Sequence, residues 1–135
     1  MELELFRKQN DYCYLYGSIY DGEEWLCDTL EFGSGYELKA DTYILKNLIC
    51  SDTKQKVIGI YNTKMELVAK MVKDNCQTYY NIKMRKENNN ICVGFKVNTP
   101  LLEMYEHSFR ILSSKITTCD YSGAKSIIHI RNIIK

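Results

Sequence analysis

A cysteine near a histidine is the combination in this chain that could do covalent chemistry, because a thiol becomes a useful nucleophile only when a base or positive charge helps it ionise. Cys92 is the candidate nucleophile, and the two histidines, His107 and His129, are the candidate bases. The thiol has no local helper. No histidine precedes His107, and Cys92 lies between Ile91 and Val93, the setting of a small buried core residue. His107, with Glu103 and Glu106 nearby, reads as a solvent-facing helix residue. Alternation places His129 with Ile127 and Arg131 on the more polar face of a strand.

Two other groupings could carry chemistry. Glu23, Glu24, Asp28 and Glu31 gather carboxylates around one strand. Acid–base catalysis needs two carboxylates held at a set separation in a cleft, so a solvated strand edge is the expected reading. Lys83, Arg85 and Lys86 beside Tyr79 and Tyr80 mix basic and aromatic residues as single-strand nucleic-acid surfaces do. A net charge of +1 gives no field to draw in a polyanion or an anionic membrane, and no RNP-type pattern is present. Neither nucleic acid nor membrane is an expected partner.

The six cysteines, at 13, 27, 50, 76, 92 and 119, include no CxxC pair, and histidines are not clustered. Free thiols in a reducing compartment are expected, with no metal site and no cofactor. The 135 residues, 45% apolar and 26% charged, suit a single domain over 1–135. No stretch has the flank and apolar run of a secretory signal or the length of a membrane span, so a soluble, cytoplasmic product is expected.

The elements that must position these residues follow mostly from a period of two. Leu3 and Leu5 alternate with glutamates, and residues 12–20 and 23–30 flank Asp21-Gly22 as a hairpin with a type I′ turn. Residues 42–50 and 57–61 read as strands. The stretch 63–73 is ambiguous, with capping-box spacing at Thr63 and Glu66 but alternation at Met65, Leu67 and Ala69, and a strand paired across Asn62-Thr63-Lys64 is preferred. Residues 78–86 and 91–97 flank Glu87-Asn88-Asn89-Asn90 as another hairpin. Thr99, Pro100 and the spacing of Leu102, Tyr105, Phe109, Leu112 and Ile116 predict one amphipathic helix at about 99–116. Residues 126–134 form a last strand.

The order of Cys27-Asp28-Thr29-Leu30-Glu31, Ala40-Asp41-Thr42-Tyr43 and Cys92-Val93-Gly94, with Ser108-Phe109 and Leu112 in the helix, resembles the bacterial and phage family called domain of unknown function 5675. Members of that family carry an Ile-His-x-Gly-Asn stretch and then Asp-Thr-x-Gly-Cys-Ile-Leu-Val-Gly, which looks like the His and Cys arrangement of peptidoglycan L,D-transpeptidases. Aligned on Gly94, this chain has Asn90 at the family cysteine and Asn89 at its glycine. The resemblance thus implies a divergent member without the family's His and Gly-Cys motif.

The expected fold is α+β: a mainly antiparallel sheet with hairpins, the helix at about 99–116 and a C-terminal strand. The expected role is non-catalytic, binding or structural, through a protein partner or self-association, and the resemblance implies a phage or mobile-element setting with a possible virion location. The alternative is a cysteine-dependent transpeptidase or hydrolase of cell-wall peptides, with Cys92 as nucleophile and His107 or His129 as base.

Overall fold

Alternation from Leu3 through Leu5 to Arg7 puts three side chains on one face, and strand β1 (Glu2–Asn10) buries all three. The computed structural model describes residues 1–10, 14–32, 37–49, 54–74 and 101–133. Strands β2 (Tyr14–Asp21) and β3 (Glu24–Phe32) form the expected hairpin. Its turn differs from the expected type: Gly22 and Glu23 are the central residues and only Gly22 takes a positive φ, 63°, which is the glycine-first pattern of type II′.

Strands β4 (Thr42–Ile49), β5 (Lys56–Tyr61) and β6 (Leu67–Asp74) run as an antiparallel meander. The ambiguous 63–73 stretch is therefore a turn followed by strand. Asn62 builds that turn, its Oδ1 accepting the N–H groups of Lys64 and Glu66, each at 3.0 Å.

The start of the helix is corrected. Leu101–Tyr105 is strand β7, and helix α1 runs from Glu106 to Tyr121 rather than over 99–116; Thr99 and Pro100 lie outside the described residues. Leu102 and Met104 enter the core on either side of Glu103, while Leu102 and Tyr105 also satisfy helical spacing. Local period cannot separate the two, and the slot between β6 and β3 selects the strand. Phe109, Leu112 and Ile116 face the core as expected, joined by Cys119.

The fold class is corrected as well. Strand β8 (Ser126–Asn132) pairs with both β4 and β1, closing eight strands into a barrel in the order β1-β2-β3-β7-β6-β5-β4-β8. Among the described residues the protein is a mainly β closed barrel with one helix, not the expected α+β arrangement of a mainly antiparallel sheet with hairpins. Hairpins are written in local turn residues, but closure depends on parallel pairs, β1 with β8 and β6 with β7, whose members are far apart in sequence or joined by a long connection.

Helix α1 lies over one end of the barrel, touching β3, β4, β6, β7 and β8. Asn47 near the end of β4 donates to the Ser113 carbonyl and Thr117 Oγ1, Lys115 reaches Asp21 at the end of β2, and the Met1 ammonium donates to the Lys125 carbonyl. Burying Phe109, Leu112 and Ile116 beneath this lid contributes about 1.5–3 kcal/mol each. The helix is thus a stopper in the barrel mouth.

Candidate functional site

Among the described residues the shortest strand register in the barrel is that of β3 with β7. Their register holds two residue pairs, Leu30 with Glu103 and Glu31 with Leu102. By contrast, β2 and β3 pair along their whole length. Beyond Leu30 and Glu103 the strands part towards the start of α1, and an open cleft of about 210 Å³ lies there. Strand β3 lines it with Asp28, Thr29 and Leu30, and β7 with Glu103, Met104 and Tyr105; Tyr16 of β2 completes the wall.

Asp28 is held in place. Its Oδ1 accepts hydrogen bonds from Ser18 Oγ at 2.6 Å and from Trp25 Nε1 at 3.1 Å. Charge-assisted bonds of this kind fix a carboxylate's direction before any ligand arrives. Trp25 and Tyr105, 53% and 59% exposed, add large apolar surface near the opening. Glu103, only 8% exposed, supplies a second carboxylate at the wall.

A different polar centre occupies the opposite end of the barrel. Arg7 donates from Nε and Nη2 to the two carboxylate oxygens of Glu31, at 2.9 and 2.7 Å, from Nη1 to Asn132 Oδ1 at 3.1 Å, and from Nη2 to the Leu38 carbonyl. Tyr43 donates to the Lys39 carbonyl at 2.6 Å and steadies the same segment. Burial pushes the Glu31 carboxyl above its ordinary value, opposed by the Arg7 guanidinium. Four of the five Arg7 N–H groups are thus spent on the fold, and the cluster locks β1, β3, β8 and the segment before β4 together. The expectation of a solvated carboxylate edge holds for Glu23, Glu24 and Asp28 but not for Glu31.

The sequence-derived site residues are not brought together among the described residues. Cys92, Lys83, Arg85, Lys86 and the hairpin around Glu87 to Asn90 lie outside the described residues. His107 is exposed on the first turn of α1. His129 sits on the outer face of β8, where Nδ1 shares a 2.8 Å hydrogen bond with Thr42 Oγ1 and Nε2 is 3.5 Å from Glu2 Oε1. A carboxylate, an imidazole and a hydroxyl in line resemble a catalytic relay. None of the three clefts described borders Thr42 or His129, however, and Arg131 with Glu4 at 2.9 Å continues the row as a surface ladder.

The two described cysteines, Cys27 and Cys119, are free and buried. Desolvation, reinforced by the neighbouring Asp28 charge, pushes the Cys27 thiol up to about 12, so it is a packing residue and not a nucleophile at neutral pH. Among the described residues no three His, Cys, Asp or Glu side chains gather as a metal would require. Among them, too, no helix is long and apolar enough to cross a membrane.

Comparison with protein-family models, curated proteins and solved structures finds no match to this chain.

Proposed function

We propose that this protein is a non-catalytic binding protein and that the parted seam between β3 and β7 is where a protein partner docks. The observation that carries this reading is a concave site where the described β3/β7 pairing stops, with a pre-oriented carboxylate and exposed aromatic side chains around it. Binding surfaces combine these elements: aromatic anchors supply contact area, and a few fixed polar groups supply specificity. The resemblance to domain of unknown function 5675 supports a phage or mobile-element setting, and the loss of the family's His and Gly-Cys motif supports a role in contact rather than catalysis.

Site-specific photo-crosslinking tests the reading. A benzoylphenylalanine placed at Tyr105, beside the cleft, is expected to capture one protein partner in the native source, while the same group at Tyr121, 89% exposed at the end of α1, captures none. Equal adducts at both positions, or none at 105, would count against the seam.

A further inference from the structure

We propose that the outer face of strands β1, β2 and β3 carries a second site, which binds the pyranose ring of a sugar. Its construction begins with a bulge in β3. Ile19 pairs with Cys27 but Tyr20 pairs with Trp25, so the register skips Leu26. Strict alternation would send Trp25 inward with Cys27, yet Cys27 is 1% exposed and Trp25 is 53% exposed. Bulges re-aim single side chains in this way. Here the bulge sets the indole opposite Tyr20 and beside Asp28, to which its N–H donates at 3.1 Å. Asp28 also borders the β3/β7 cleft, but Trp25 and Tyr20 do not line it and β7 takes no part in this face.

The groups gathered there select a neutral ligand rich in hydroxyls. The bonds from Ser18 and Trp25 both end on Asp28 Oδ1, and Oδ2 accepts none from the described residues. A carboxylate of fixed direction on an exposed residue is thus left to accept from a ligand. Tyr20 meets Phe6 edge-on, with ring centroids 5.8 Å apart, and Lys8 Nζ lies 5.4 Å from the Tyr20 ring centre. A cationic ligand would meet that ammonium as a like charge, and a polyanion would meet Asp28 and Glu4. A pyranose suits both signs. Its hydroxyls donate to Asp28 and accept from Lys8, whose ammonium has three donors. Its slightly positive C–H face lies against the negative face of the exposed indole. Because Ser18 and Trp25 already hold the carboxylate, little side-chain freedom is lost on binding.

Trp25 is the single tryptophan, so its indole resonance reports on this face alone. The probes are the methyl pyranosides of glucose, galactose and mannose, with sorbitol as an open-chain polyol that has the hydroxyls but no flat C–H face. At least one pyranoside is expected to shift the indole N–H saturably in the millimolar range, with sorbitol about tenfold weaker or worse. Asp28→Asn keeps an oxygen for Ser18 and Trp25 but turns an amide towards the ligand, and should weaken binding about tenfold. Trp25→Ala, read by saturation transfer to the sugar protons, should abolish binding, while Tyr105→Ala leaves it unchanged. Silence of all three pyranosides, sorbitol binding as tightly as the best of them, or unchanged binding in Trp25→Ala overturns the inference. So does a tighter saturable shift with tetramethylammonium or with single-stranded oligothymidylate. None of these outcomes alters the crosslink at position 105, so the sugar site and the seam fail separately.

Discussion

Arg7 and Glu31 meet inside the barrel through two hydrogen bonds, of 2.9 and 2.7 Å, with 1% and 2% of their side chains exposed. Removing one partner strands the other in a dry interior. Arg7→Met is therefore expected to destabilise the protein by about 3–5 kcal/mol, whereas Arg7→Met with Glu31→Leu recovers most of that loss. Urea unfolding of the two single variants and the double variant measures the coupling.

The pH dependence of this pair has a defined sign. Because burial raises the Glu31 pKa above its ordinary value of 4.5, the folded state holds that proton more tightly than the unfolded chain does. The stabilising contribution is complete below the ordinary value and is lost as pH rises through the folded pKa. Relative to Glu31→Gln, the wild-type melting temperature should climb as pH falls from neutral through that window and stay level above it.

Cys27 should be inert. With its thiol pushed up to about 12 by burial, iodoacetamide at pH 8 is expected to leave Cys27 unmodified in the native protein and to label it after denaturation. Peptide mapping of the labelled sites reads this out directly.

Met65 occupies a backbone position that suits glycine. In the turn before β6 its N–H donates to the Asn62 carbonyl at 2.9 Å and its φ is 63°, the left-handed residue of a three-residue hairpin loop. Half-exposed Met65 gains little packing there, so Met65→Gly is expected to stabilise the fold by about 1 kcal/mol, measured by urea unfolding.

Much of the local structure is legible in the sequence. The β2/β3 hairpin announces itself through Gly22, the inward faces of β4 and β8 through alternation, and the buried stripe of α1 through Phe109, Leu112 and Ile116. His129 falls on the predicted face. What the sequence hides is non-local. The β7 residues satisfy two periods at once, and only their neighbours β3 and β6 decide between them. Since the cleft exists only where β7 leaves β3, misreading 101–105 as helix also conceals the site. The Arg7–Glu31 pair had a signal: Arg7 continues the inward series of Leu3 and Leu5, and Glu31 that of Cys27 and Thr29. Reading both charges as inward predicts that they need each other.

The central claim is that the parted β3/β7 seam binds a protein partner, and the affinity of the purified crosslinked partner for substituted forms of the protein tests it most directly. Tyr105→Ala is expected to weaken binding about tenfold or more, as loss of an aromatic anchor does, while Tyr121→Ala leaves it unchanged. Equal affinity of wild type and Tyr105→Ala for that partner would contradict the account.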